Sequence, residues 1–457
     1  MSSPLIALFA AALAITATAA AETDFPAGQL PQSATPRHYK LDLTILPDQD
    51  RFSGKVAIDV TLHAPSRLIW LHGQDLTVER AAVTDAGGST LAATYEEIAG
   101  SSGVVRLSLP REIAAGPVRI EIAYSGPFNR NLEGLYRSDE GGDSYAFTQM
   151  EPIFARLAFP SFDEPRFKTP FDTSITVRDS HVAITNAPET KVEALDNGLK
   201  RITFATSKPL PTYLVAFAVG PLDVVDWAPV RATALRDTPI PLRGITARGK
   251  GKQIEYALAN TEALLLELED YFDIAYPYEK LDLVAATDFA AGAMENAGAI
   301  FYREPLMLLD ERSSLNQKRL YALVHAHELA HQWFGNLVTP AWWDDIWLNE
   351  AFATWMENKT AHAWDPQGEY GRLNQTGALS AMGTDSWRSA RQIAQPILSN
   401  DDIANAFDTI TYEKGGGVLS MFERYYGEET FRRGVTHYLE KFRWGVATSK
   451  DFFQSIA

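Results

Sequence analysis

Two histidines and a glutamate in the second half of the chain have the spacing of a metal centre. His327 and His331 are four residues apart in a stretch, 320–334, that contains good helix formers and no Gly or Pro. Residues four apart lie on one face of a helix, so both imidazoles can point at one ion. Glu328 follows the first histidine and is placed to reach a water on that ion rather than the ion itself. The pattern predicts a catalytic metal site on a helix.

A third ligand is predicted at Glu350, in a second helical run of otherwise apolar residues. An unpaired carboxylate in such a neighbourhood is costly to bury unless it binds a metal or a partner. Two histidines and one glutamate leave a fourth position open, which is typical of catalytic zinc. Imidazole ligands favour zinc over magnesium or calcium, so we expect one Zn²⁺ per chain. His325 lies about 200° around the helix from His327 and is not expected to be a ligand.

The composition is that of a folded protein with an acidic surface. Of 457 residues, 46% are hydrophobic and 22% charged, and 41 Lys and Arg against 58 Asp and Glu give a net charge of −17. This balance argues against disorder and against nucleic acid as a partner. The chain has no cysteine, which excludes thiol catalysis, zinc–thiolate sites and disulfides.

Residues 1–21 are predicted to be a secretory signal. They carry no charge, and an apolar run over 5–17 precedes small residues that end at Ala21. The pattern predicts cleavage after Ala21 and export to the periplasm or the exterior, although no Lys or Arg precedes the apolar run. The alternative is an uncleaved membrane anchor. No later segment is long and apolar enough to span a bilayer, so we expect no membrane span in the mature chain.

The remaining chain changes from a strand pattern to a helix pattern. Segments 39–45, 56–62 and 118–124 alternate apolar and polar residues, and 212–219 is predicted to be the last strand of this part. Helical periodicity follows over 254–273, and helices dominate from Leu315 onward. We therefore predict an α+β chain with a β-rich domain over 22–225 and a mainly helical domain over 226–457.

Five segments resemble one known family. They are Thr-Gln-Met-Glu at 148–151, Phe-Pro-Ser-Phe-Asp-Glu-Pro at 159–165, Gly-Ala-Met-Glu-Asn at 292–296, the block 327–336 with Glu350, and Thr-Tyr-Glu-Lys-Gly at 411–415. Together they resemble the M1 zinc metallo-aminopeptidases, gluzincins that include aminopeptidase N and leukotriene A4 hydrolase. The resemblance implies an N-terminal β-saddle domain and a thermolysin-like zinc peptidase domain. It further implies a C-terminal helical domain, before which this chain is expected to be truncated.

The resemblance also assigns roles to residues. It implies that Glu328 is the general base and that Tyr412 stabilises the oxyanion, a choice that the residues alone leave open among Tyr412, Tyr302, Tyr425 and Tyr426. It implies that Gln149, Glu151 and Glu295 bind the free α-amine of a peptide. The implied substrate-binding motif consists of Gly292, Ala293, Met294, Glu295 and Asn296. Ala293 and Met294 are expected to line the first side-chain pocket, which suggests neutral or apolar side chains.

The predicted function is hydrolysis of the N-terminal peptide bond of peptides that have a free amine. Two alternatives stay within hydrolases, namely an epoxide hydrolase of the leukotriene type and a general endopeptidase. A third is a peptide-binding scaffold of the same fold without catalysis. The oligomeric state is not predicted.

Overall fold

The first part of the chain is built from β-strands. The computed structural model describes residues 25–457, so the predicted signal segment at 1–21 lies outside the described residues. The strands of this part are β1 (Ala34–Thr44), β2 (Arg51–Leu62), β3 (Ser66–His72), β4 (Thr77–Thr84), β5 (Thr90–Ala92), β6 (Thr94–Glu97), β7 (Val104–Ile113), β8 (Gly116–Pro127), β9 (Gly134–Glu140), β10 (Asp143–Gln149), β11 (Phe171–Arg178), β12 (Val182–Ile184), β13 (Glu189–Leu195), β14 (Leu199–Phe204) and β15 (Ala218–Gly220).

These strands form three sheets of eight, four and three strands. The large sheet has the order β13-β14-β11-β1-β2-β8-β4-β5, the second β12-β15-β10-β9 and the third β3-β7-β6. In the large sheet Leu41 pairs with Val56, and Ile58 pairs with Ile120. These side chains are buried, and their neighbours along β2 alternate with them toward solvent, as a half-buried sheet requires. The three strands predicted from alternation are thus confirmed.

The strand predicted over 212–219 is wrong for most of its length. The segment forms a 3₁₀ turn at Thr212–Leu214, and a strand begins only at Ala218. Two backbone N–H groups between these elements donate to side chains instead of a neighbouring strand: Ala216 to Asn186 Oδ1 and Phe217 to Thr148 Oγ1. An apolar run that is buried on all sides has the same composition as a central strand, so the sequence pattern does not separate the two.

Within the described residues, the second part combines a mixed five-stranded sheet, a two-stranded parallel sheet and eight α-helices. Its strands are β16 (Leu222–Val230), β17 (Ile240–Ala247), β18 (Leu281–Ala286), β19 (Ala293–Met294), β20 (Ala299–Arg303), β21 (Thr339–Pro340) and β22 (Val446–Ala447). Its helices are α1 (Glu255–Phe272), α2 (Glu304–Met307), α3 (Leu315–Ala330), α4 (Trp347–Trp364), α5 (Tyr370–Asp385), α6 (Gly415–Tyr426), α7 (Glu428–Lys441) and α8 (Ser449–Ile456). The five-stranded sheet has the order β16-β17-β18-β20-β19, and β21 pairs with β22. A β-rich part followed by a helical part confirms the predicted fold class. Within residues 25–457, none of the helices has the length and apolarity that crossing a bilayer requires.

Helices α3 and α4 lie side by side and form the centre of the second part. Ser314 caps α3 through a reciprocal pair of hydrogen bonds with Gln317, which satisfies free N–H groups of the first turn. The helix begins earlier than the stretch 320–334 suggested and ends at Ala330, so that His331 is its C-cap. The ring of Phe334, just beyond, stacks on Phe352 of α4 with 4.4 Å between centroids. This packing fixes the end of α3 against the start of α4.

Partly buried hydrogen bonds join the two parts of the chain. Lys168 Nζ donates to the backbone carbonyls of Asn336 and Leu337 at 2.7 and 3.0 Å. Tyr136 donates to the carbonyl of Asp288 at 2.6 Å. These bonds reach the segment after α3 and the segment that leads to β19. The β-rich part therefore contacts the same segments that carry the predicted site.

Candidate active site

The side chains of His327, His331 and Glu350 meet in one cavity, as predicted. Nε2 of each histidine lies 3.4 Å from Oε2 of Glu350, and the three residues offer ligand atoms within 4.8 Å of one another. Two ligand atoms of a tetrahedral zinc site, each about 2.1 Å from the ion, are about 3.4 Å apart. The arrangement therefore fits a single metal ion of this kind.

The outer nitrogen of each histidine is occupied by a hydrogen bond. Nδ1 of His327 lies 2.7 Å from Oε2 of Glu357, and Nδ1 of His331 lies 2.5 Å from Oδ1 of Asn349. Both partners are acceptors, so each Nδ1 carries a proton, and Nε2 is the nitrogen of each ring that can bind a metal ion once its own proton is released. Such partners fix the tautomer and the ring orientation of a metal-binding histidine.

Electrostatics keeps Glu350, the predicted third ligand, ionised. Burial alone would raise the pKa of Glu350, but the charges of His331 and His327 and their hydrogen bonds lower it to about 2. Conversely, burial would lower the pKa of His327, but its bonds to Glu350 and Glu357 raise it well above the usual value. An ionised carboxylate is the form that binds a metal.

Two further side chains face the metal position with acid–base and donor capacity. Glu328 is buried, its Oε2 has no hydrogen-bond partner among the described residues, and burial raises its pKa to about 8 against the lowering effect of His327 and His331. Tyr412 lies on a π-helical turn, Ile410–Lys414, and its ring stacks on that of His327 with 6.2 Å between centroids. Burial and the charges of Glu350 and nearby carboxylates raise the pKa of Tyr412 well above 10, so its phenol stays a donor.

Three carboxylates from both parts of the chain converge beside the metal position. One ligand oxygen each of Glu151, Glu295 and Glu350 lies within 4.8 Å of the other two. Burial, followed by the charges of Glu295 and Glu350, raises the pKa of Glu151 well above its usual value. Oε1 of Glu151 and Oε1 of Gln149 are buried without a hydrogen-bond partner in the described part of the chain. Such a cluster favours a cation that brings its own N–H donors.

Glu295 is held in place by three amide side chains. Its backbone oxygen accepts from Gln332 at 3.0 Å and from Asn336 at 2.8 Å. Its carboxylate Oε1 accepts from Nδ2 of Asn349 at 2.8 Å. The residue is therefore fixed to the end of α3 and the start of α4, next to the metal ligands.

The two histidines, Tyr412, Gln149 and the glutamates named above line one cavity of about 590 Å³. Away from the metal position its walls are largely apolar. The apolar lining comprises Pro152, Phe154, Ala291, Ala293, Leu320, Leu323, Val324, Ala404 and Phe407. Among the described residues, no Lys or Arg lines the cavity. The glutamates of the cavity therefore have no permanently charged cation beside them in its lining.

Some predicted residues lie behind the cavity wall. Gly292 and Ala293 line the cavity, whereas Met294 and Asn296 are buried behind them. Met294 Sδ lies 3.4 Å from Nε2 of Gln149, so it contacts a residue of the site without lining it. His325 points away from the metal position and forms a hydrogen bond with Tyr302 at 2.7 Å.

Sequence reasoning missed two residues that contact the ligands, Glu357 and Asn349. Glu357 is seven residues beyond Glu350 on α4 and hence on the same face, a spacing that could have identified it. Asn349 directly precedes Glu350, but no spacing rule indicates that its amide reaches both His331 and Glu295. The aromatic wall residues Phe154 and Phe407 come from distant segments and carried no signal.

Comparison with known proteins finds two matching family models in chain order. The Peptidase M1 N-terminal domain matches residues 35–214, and the Peptidase family M1 domain matches residues 256–457. The second match contains both histidines, Glu328, Glu350 and Tyr412, and the first contains Gln149 and Glu151.

Similar curated proteins are named as aminopeptidases. Aminopeptidase M1-C of Oryza sativa subsp. japonica is 37% identical over 432 residues, which cover 93% of this chain and 48% of the relative. Aminopeptidase 2, mitochondrial, of Saccharomyces cerevisiae is 36% identical over 442 residues, with 94% and 45% covered. Puromycin-sensitive aminopeptidase of Caenorhabditis elegans is 35% identical over 441 residues, with 94% and 45% covered. The chain thus spans about half the length of these relatives.

Proposed function

Because the chain belongs to peptidase family M1, we propose that it is a zinc aminopeptidase that hydrolyses the first peptide bond of peptides with a free α-amine. The observation that carries the proposal is the convergence of Glu151 and Glu295 with the ligand Glu350 within 4.8 Å. A metal set alone would serve an endopeptidase equally well. Two extra carboxylates and an unpartnered amide oxygen beside it provide a place for an ammonium group.

The metal is proposed to be zinc, held by His327, His331 and Glu350. Two neutral imidazoles and one carboxylate at 3.4 Å ligand spacing suit a tetrahedral zinc site with one open position. A zinc ion bound there supplies Lewis acidity toward water and toward a carbonyl oxygen.

The chain's own residues account for the proton transfers. Glu328 accepts a proton from the attacking water as the new C–O bond forms, and it delivers that proton to the leaving nitrogen as the C–N bond breaks. A base with pKa near the working pH is effective in both directions, and burial places the pKa of Glu328 at about 8. Tyr412 donates its phenolic hydrogen to the oxyanion of the tetrahedral intermediate.

Substrate orientation follows from the position of the carboxylates. An ammonium group has three N–H donors, and Oε1 of Gln149, Oε1 of Glu151 and the carboxylate of Glu295 are acceptors on one side of the metal position. An amine bound there leaves room for one residue before the scissile carbonyl reaches the metal. The apolar walls support a preference for neutral or apolar first residues.

The alternatives have less support. The relatives are named as aminopeptidases, which disfavours the epoxide hydrolase and the scaffold. An endopeptidase function does not explain why two unpaired acceptors, Oε1 of Gln149 and Oε1 of Glu151, lie beside the metal position.

The proposed function is tested with aminoacyl p-nitroanilides and their N-acetylated counterparts on the zinc-loaded protein. We expect turnover of the free-amine substrates, loss of it on chelation, and a much lower kcat/KM for the acetylated ones. Equal cleavage of both classes would point to an endopeptidase, and zinc binding without any turnover would point to a scaffold.

A further inference from the structure

The amide of Asn349 lies between a metal ligand and the residue proposed to bind the substrate amine. Its Oδ1 is 2.5 Å from Nδ1 of His331, and its Nδ2 donates to Oε1 of Glu295 at 2.8 Å. The side chain is fully buried. It therefore contacts both halves of the site without facing the cavity.

The two bonds determine each other's direction. Glu295 Oε1 is an acceptor, so the NH₂ end of the amide must face it. The oxygen then faces His331, and Nδ1 of that ring must supply the hydrogen. Its Nε2 points toward Glu350 at 3.4 Å and is the nitrogen that remains for a metal ion. The amide thus supports the metal-binding tautomer of His331, together with the backbone oxygen of Phe334 at 3.1 Å from the same Nδ1, and it orients the carboxylate of Glu295.

The surrounding backbone leaves space for this amide. Gly335 has φ of +100°, and a Cβ at this position would lie 2.1 Å from Oδ1 of Asn349. A side chain there would both strain the backbone and displace the amide. The turn after α3 is therefore shaped so that the Asn349 amide occupies this position.

We propose that Asn349 is a positioning residue that couples metal binding to amine recognition, a role that rests on the proposed function. It does not touch substrate. Its two hydrogen bonds orient His331 for zinc and Glu295 for the ammonium group. A single substitution removes both bonds.

Zinc affinity tests the bond to His331. Loss of a partner of a metal-binding histidine typically weakens metal affinity about 10–100-fold, so we expect that loss for Asn349→Ala in chelator competition. Asn349→Asp is the matched control, because it keeps an acceptor oxygen at the same place and should bind zinc nearly as wild type does. Wild-type zinc affinity in Asn349→Ala would overturn this half of the proposal, and so would an equal loss in both variants.

Binding of leucinamide against N-acetylleucinamide tests the bond to Glu295 without requiring turnover. In the zinc-loaded proteins, measured by calorimetry, Asn349→Ala should lose about tenfold in the preference for the free amine, the scale of a lost hydrogen bond to a charged group. Glu295→Ala should lose the preference for the free amine.

The double variant Asn349→Ala/Glu295→Ala distinguishes coupling from independent effects. Its preference should equal that of Glu295→Ala, because the amide acts on the amine only through that carboxylate. Multiplied losses, or an unchanged preference in Asn349→Ala, would overturn the proposal. If wild type binds zinc and leucinamide but shows no turnover, the proposed function is refuted. The zinc affinity and the preference for the free amine then still test the role of Asn349. Thermal unfolding of each variant verifies that it is folded.

Discussion

The carboxylate of Glu357 is predicted to set the zinc affinity through His327. Oε2 of Glu357 lies 2.7 Å from Nδ1 of His327, and the side chains are only 18% and 12% exposed. A hydrogen bond to a charged group in such a setting contributes about 1.5–3 kcal/mol, roughly twice a neutral one. Its loss also frees the ring to rotate away from the ion.

Two substitutions separate the charge from the bond. Glu357→Gln keeps an acceptor for Nδ1–H and loses the charge, so we expect a cost of about 1 kcal/mol, or about fivefold in zinc affinity. Glu357→Ala loses both and should weaken zinc about 10–100-fold. Competition with a fluorescent chelator at fixed pH measures both values.

A matched control removes the same charge elsewhere. Glu267 is exposed on α1 and does not line the site, so Glu267→Ala should bind zinc as wild type does. Wild-type zinc affinity in Glu357→Ala would refute the reasoning, because the bond would then contribute nothing to the ligand.

Further expectations concern catalysis and stability. Glu328→Ala should lower kcat about 10²–10⁴-fold and retain bound zinc by elemental analysis; appreciable turnover in the metal-loaded variant would contradict the assigned base. Tyr412→Phe should lower kcat about 10²–10³-fold with little change in KM, and a change confined to KM would contradict an oxyanion role. Burial lowers the pKa of Lys168 in the folded chain to about 7, from an ordinary value of 10.5. Between these two pH values the unfolded chain therefore binds more protons than the folded chain. The stability of wild type relative to Lys168→Met, measured by urea unfolding, should therefore rise with pH across this window; a difference independent of pH would contradict the shift.

The metal set could be predicted from the sequence because its geometry is local. Four-residue spacing on α3 fixes His327 and His331, and a third ligand on the next helix follows from one carboxylate among apolar residues. The convergence of Glu151 with Glu295 could not be derived in this way, since the two come from different parts of the chain, and only the family resemblance indicated it. The paired contacts of Asn349 depend on how α3 meets α4, which no periodicity encodes.

The same difference between local and distant contacts explains why the strand predicted around Phe217 is wrong. Alternation identifies strands such as β2 because one face is exposed. The segment around Phe217 is buried on every side, and its backbone bonds end on side chains more than twenty residues away in sequence. A local sequence pattern does not predict secondary structure that depends on distant side chains.

The two carboxylates proposed to bind the amine belong to different parts of the chain. Glu295 is held to α3 and α4 by amides, whereas Glu151 follows β10 in the β-rich part, which contacts the site through bonds such as those of Lys168. The free energy of substrate binding therefore depends partly on how stably the two parts of the chain pack against each other. Substitutions that weaken the contacts between the two parts should therefore raise KM more than they lower zinc affinity, because the predicted ligands lie on α4 and at the end of α3.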